Sequence, residues 1–160
     1  MRRLLPVLAV VLLPLLGCSS SDSGGDSLED RRAEYVESAE QICADTNEEV
    51  EALTAPTGVD TVADYTDEVV ALLEASVDEV TALEPPEQDA AELTEKVLDP
   101  FADDVGRAQE YADEVRTAAE AGDSAALLTL VREVPQTSAD LEFMREYGLV
   151  QCASAADTTS

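Results

Sequence analysis

DTVADYTDEVVALLEASVDEVTALEPP, residues 60–86, sets Val62, Tyr65, Val69, Leu72, Ser76, Val80 and Leu83 three or four positions apart. That spacing lines one face of an α-helix, which turns once in about 3.6 residues. Asp60 is a candidate N-cap. Pro85-Pro86 is a stop, because proline lacks a backbone donor and pushes the preceding residue out of the helical region. No stretch of the chain sustains alternation at period two, and turn signals lie too far apart for sandwich strands. The expected fold class is all-α.

Upstream, residues 28–53 form a second periodic stretch through Val36, Ala39, Ile42, Cys43, Val50 and Leu53. Ser27, followed by Glu29 and Asp30, offers a cap and acids placed against the positive end of the helix dipole. Ala55-Pro56-Thr57-Gly58 breaks it. Downstream, Pro86 suits a first helical position. A third helix then follows Leu93, Val97, Phe101, Val105, Ala108, Ala112, Val115 and Ala119, with a kink or split expected at Pro100. Gly122 ends it, and Asp123 caps a fourth through Leu127, Leu130, Val131 and Val134. Pro135 is expected to break this last helix, after which Thr137 or Ser138 caps a short terminal one through Leu141, Met144 and Tyr147, ended by Gly148. The expected architecture is an antiparallel up-down bundle of four main helices.

The chain has three cysteines. Cys18 closes MRRLLPVLAVVLLPLLGC, which has the parts of a bacterial export signal: Arg2 and Arg3, an apolar centre, and small Gly17 before the cut. The apolar run is shorter than the roughly 20 residues of a membrane span. Leu15-Leu16-Gly17-Cys18 resemble the lipobox of bacterial lipoproteins. The resemblance implies that Cys18 takes a diacylglyceryl group with palmitate-class chains and becomes the mature N-terminus; an ordinary secretory signal with an incidental cysteine is the alternative. Arg2-Arg3 lack the rest of a twin-arginine motif, so the export route stays open.

The expected layout is a signal at 1–17, a flexible tether at 18–27, a helical domain at 28–152 and a disordered tail at 153–160. About 120 ordered residues suit one domain. In an exported protein, Cys43 and Cys152 are expected to be joined. A free or metal-binding pair is the alternative, disfavoured by the absence of histidine and of any CxxC. Simple rise counting puts the residue level with Cys43 near position 134, so the bridge requires the chain to turn back.

Tyr35, Ile42-Cys43, the Leu83-Glu84-Pro85-Pro86 break and Tyr147-Gly148-Leu149-Val150-Gln151-Cys152 together resemble the small envelope lipoproteins of actinobacteria. That resemblance implies a helical bundle bracketed by two cysteines and an address at the outer face of the cell membrane. It implies no activity.

Charge narrows the function classes. Nine basic and 36 acidic residues give a net of −27, which becomes −29 without Arg2 and Arg3. No basic patch exists to neutralise phosphates, so nucleic-acid partners are excluded, and adsorption to anionic lipid is disfavoured. Membrane contact is expected through the lipid anchor alone.

Catalytic groups are sparse. Without histidine, the usual Ser-His and Cys-His nucleophile pairs cannot form. Lys96 is the only lysine and has no SxxK context, and no glycine-rich phosphate loop, EF-hand loop or ExxH element occurs. No cofactor is expected. Only carboxylates remain. Asp45, Glu48, Glu49 and Glu51 precede the turn at 55–58, and Asp60, Asp64, Asp67 and Glu68 follow it. Asp45, Glu48, Glu49, Asp60 and Asp64 form a weak candidate rim for Ca²⁺ or Mg²⁺. The plainer reading, a solvated face of a uniformly acidic protein, is favoured.

A glycosidase-like acid pair would have few rings to stack on a sugar: Tyr35, Tyr65, Phe101, Tyr111, Phe143, Tyr147 and no tryptophan. These six are expected in the core or at its edge, where some could line a cleft between helices. The leading functional expectation is a non-enzymatic interaction or accessory protein of the envelope, with an unidentified protein partner. The alternative is a lipoprotein that binds a small ligand or divalent cation beside a transporter.

Overall fold

The structure is a computed structural model and describes residues 27–157. The signal at 1–17, Cys18 and tether residues 19–26 lie outside the described residues, as do 158–160. The protein is all-helical, with no strand among the described residues. Its elements are α1 (Leu28–Ala52), α2 (Val59–Ala82), α3 (Ala90–Leu93), a π-helical turn (Thr94–Leu98), α4 (Asp99–Glu120), α5 (Ser124–Leu130), α6 (Leu141–Tyr147) and α7 (Val150–Asp157).

Ser27 caps α1 through a capping box: its hydroxyl accepts from the Asp30 amide, and the Asp30 carboxylate accepts from the Ser27 amide. The second helix starts earlier than expected. Gly58 is the N-cap and Asp60 lies inside the first turn, where its charge faces the positive helix end but makes no cap bond. Pro86 is not a first helical position either. Its carbonyl accepts from the Asp89 amide at 2.9 Å in a turn that precedes α3.

At Pro100 the third helix is divided: α4 starts at Asp99, with Pro100 in its first turn, after α3 and the π-helical turn. Continuing an α-helix through proline forfeits one hydrogen bond and drives the ring against the carbonyl four residues back, here that of Lys96. The turn before Pro100 is instead π-helical, with the Asp99 amide donating to the Thr94 carbonyl. The Lys96 carbonyl accepts from the Asp140 amide at 3.0 Å. A carbonyl that the helix cannot use thus receives the first residue of the α6 cap.

Gly122 ends α4 at φ +64°, with its own amide bonded to Ala119 O and the Asp123 amide to Ala118 O. This is a Schellman closure, which needs the left-handed residue that glycine supplies. Asp123 then caps α5 through the amides of Ala125 and Ala126.

The fourth main helix is shorter than expected, because α5 stops at Leu130 and residues 131–140 are irregular. Val134 precedes Pro135 and is steered away from helical backbone, while the next three residues are captured by α4. Asp104 accepts from Thr137 Oγ1 at 2.6 Å, from Ser138 Oγ at 2.7 Å and from the Ser138 amide. It also pairs with Arg107, which donates to Gln136 O. Thr137 and Ser138 therefore do not cap the next helix. Asp140 does, accepting from the Phe143 amide at 3.0 Å.

Gly148, at φ +109°, turns the chain from α6 into α7. The expected disordered tail is helical through Asp157, and Ala153 is fully buried. Two ties explain why. Cys152 is disulfide-bonded to Cys43 of α1, and the Glu40 carboxylate accepts from the amides of Gln151 and Cys152 at the start of α7.

The core is divided. One cluster joins Tyr35, Ala39, Cys43, Val80, Leu93, Val97, Met144, Leu149 and Cys152. The other joins Val115, Ala118 and Leu127 with Val59, Val62, Tyr111 and Leu130 packed on it. On α2 the two meet the helix at Val80 and Val62, and on the 90–120 helix at Val97 and Val115.

Candidate functional site

Between the two clusters lies a cavity of about 200 Å³, partly open to solvent. Its main walls are the middle of α2 and the first half of α4. Thr66, Val69, Val70, Leu73, Ser76 and Val77 come from α2, while Phe101, Val105, Ala108 and Tyr111 come from α4. Residues 134–137 form a third wall, and the disulfide with Ala155 and Ala156 of α7 a fourth. The sequence explains the void. The valines and alanines among these wall residues leave the space between the helices unfilled.

The lining is almost entirely apolar, and most of its polar groups are already engaged. Thr46 donates to Ile42 O and Thr66 to Val62 O, each one turn back in its own helix. Tyr111 donates to Leu130 O at 3.3 Å, and burial raises its phenol pKa above the ordinary value. Thr137 is bound to Asp104, and Asp104 is neutralised by Arg107. No polar or charged residue is fully buried among the described residues. The cavity can enclose hydrocarbon.

An aromatic and cationic cluster packs at the other side of the Tyr35 core. The Arg32 guanidinium lies 4.1 Å from the Tyr147 ring centroid, Phe143 stacks on Tyr147, and Lys96 Nζ is 4.5 Å from the Phe143 centroid. Tyr147 donates to the Asp89 carboxylate at 2.8 Å. Burial first, and then that bond, hold the Tyr147 proton well above the usual phenol range. The Tyr35 hydroxyl is buried with no hydrogen-bond partner among the described residues.

The sequence-predicted site residues distribute as follows. Cys43 and Cys152 are joined. Phe101 and Tyr111 line the cavity; Tyr35 and Tyr147 belong to the first core cluster, with Phe143 packed against it. Asp45, Glu48, Glu49, Asp60 and Asp64 are exposed, and no group of three or more His, Cys, Asp or Glu among the described residues is placed to hold a metal. The acidic rim is thus not assembled: Asp45 accepts from Gln41 at 2.7 Å, and Asp67 pairs with Arg116 of α4 at 2.7 Å. Sequence reasoning missed the face made by Val70, Leu73 and Val77, and it missed the 134–137 wall.

No helix among the described residues is long and apolar enough to cross a membrane. Comparison with protein-family models, with curated proteins and with solved structures returned no match.

Proposed function

We propose that this protein is a non-enzymatic, small-ligand-binding lipoprotein, held at the extracytoplasmic face of the cell membrane by acyl chains on Cys18 and associated with transport. The observation that carries the binding role is the apolar cavity between two separately packed cores. Bundles place their small-molecule sites between helices in this way. The address rests on the signal-like residues 1–17, the lipobox-like Leu15–Cys18 and the resemblance to actinobacterial envelope lipoproteins. The reading as an antiparallel up-down bundle rests on the helix periods and the breaks between them, and the same resemblance supports it. The absence of histidine and the engaged polar groups of the cavity favour binding over catalysis.

Two measurements test it. Metabolic labelling with a clickable palmitate analogue should mark the wild-type chain and not Cys18→Ser; labelling of both overturns the anchor. Native mass spectrometry of the full chain taken from its membrane should show an added small-molecule mass that Ala108→Phe loses. A bare wild-type mass overturns the binding role.

A second reading, an accessory protein that docks on an envelope partner, is favoured by Leu128 and Val131, which are 62% and 61% exposed at the end of α5. A photo-crosslinker at position 131 that captures one defined partner in the native membrane supports it; capture of none overturns it.

A further inference from the structure

The cavity wall also restricts what kind of molecule can enter. We propose that the occupant is a compact, uncharged hydrocarbon-like molecule or chain end of about eight heavy atoms, poor in hydrogen-bonding groups; this rests on the reading of the cavity as a ligand site. Size follows from volume. An apolar cavity of about 150 Å³ admits benzene, so the roughly 200 Å³ here admits a molecule one-third larger.

Neutrality follows from the hydrogen bonds. Arg107 is the one cation among the described lining residues, and its guanidinium is held by the Asp104 carboxylate and Gln136 O. Asp104 is in turn filled by Thr137 and by both polar groups of Ser138. An anionic ligand would have to share the guanidinium with Asp104, and a cationic one would have to take Asp104 from Arg107, Thr137 and Ser138. Either would otherwise lose its hydration with nothing in return. The hydroxyls of Thr46, Thr66 and Tyr111 donate to backbone carbonyls, so a ligand rich in acceptors gains nothing from them. What remains is the single Ser76 hydroxyl and contact with Val69, Val70, Leu73, Val77, Val105 and Ala108.

The test is a methyl NMR titration of the full chain carrying Cys18→Ser, so that no acyl chain of the protein's own competes. Benzene, ethylbenzene and propylbenzene form the neutral series; phenylacetate and phenethylammonium are the charged counterparts. Affinity is expected to rise about fourfold per methylene from benzene to ethylbenzene. Shifts should be confined to the lining valine and leucine methyls, with the charged pair at least about a hundredfold weaker. Ala108→Phe, which fills the void, should abolish binding and raise the melting temperature; Ala155→Leu serves if that variant does not fold.

Charged members binding within tenfold of ethylbenzene at the same methyls would overturn the neutral class while leaving the ligand site standing. No shift from any member overturns both. Undiminished binding to folded filled variants also overturns the proposal, because it places the hydrocarbon elsewhere.

Discussion

The Glu40 carboxylate on α1 accepts the Gln151 amide of α7 through both oxygens, at 2.8 and 3.0 Å. A residue 111 positions away therefore caps the last helix and neutralises amides that a helix start leaves unpaired. Cys152, the next residue, adds its own amide to Glu40 and its sulfur to Cys43. Glu40→Ala should lower stability by about 1–2 kcal/mol, the range for loss of an N-cap. Urea unfolding measures it, and hydrogen exchange should quicken first at 150–157.

Reduction of Cys43–Cys152 opens a loop of 109 residues in the unfolded chain. The chain-entropy model sets the loss at about 4–5 kcal/mol as an upper figure. Reduced protein should melt at lower temperature, and Glu40→Ala should be more damaging in the reduced state than in the oxidised one. Equal effects in both states would show that the two ties act independently.

Asp104→Ala removes the group that fastens residues 136–138 to α4. A loss of about 1.5–3 kcal/mol is expected for hydrogen bonds to a charged, partly buried acceptor. Hydrogen exchange should rise across 131–140 while 28–52 stays protected. A uniform rise over the whole chain would contradict the local role.

Tyr35→Phe is expected to leave stability unchanged or to raise it, because the hydroxyl it removes is buried without a partner. Tyr147→Phe should do the opposite at neutral pH, since it strips Asp89 of its donor. The alkaline limb separates them further. Native Tyr147 holds its proton to higher pH than the unfolded chain, whose phenol titrates near 10.0. Its contribution is therefore complete below pH 10 and is lost as pH climbs toward the native value. Wild type should lose stability more steeply above pH 10 than Tyr147→Phe, as read from urea midpoints at pH 8 and 11.

Like charges four apart, Asp45 with Glu49, Asp60 with Asp64, Asp64 with Glu68, Asp99 with Asp103 and Glu110 with Glu114, each disfavour their helix by about 0.2–0.5 kcal/mol. Screening relieves them. The melting temperature should rise from low to moderate NaCl, and a flat or falling trend would contradict this.

The helices were legible where local chemistry decides them. Ser27 and Asp30, Gly122 and Asp123, and Gly148 act within their own turns, and each does what its residue type implies. Expectation failed where distant groups compete. Thr137 and Ser138 have the chemistry of caps, but Asp104 binds them first. Residues 153–157 look like a tail until Glu40 and Cys43 act on their first turn. Most of the α2 seam holds: Val62, Val80 and Leu83 meet the cores and Val69 and Ser76 line the cavity, whereas Val70, Leu73 and Val77, which join the same walls, were left out of it. The cavity itself is a shortage of side-chain volume between helices, which no single stretch of sequence encodes.

Pro100 denies the 90–120 helix the use of one carbonyl, and Asp140 takes it; four residues beyond Pro100, Asp104 grips Ser138. These anchor points are spaced by the rigid rise of one helix, so the crossing segment is measured against a ruler. Inserting a single residue between Ser138 and Asp140 would let the chain satisfy one mark or the other, and α6 would begin out of register with the sulfur it must deliver to α1.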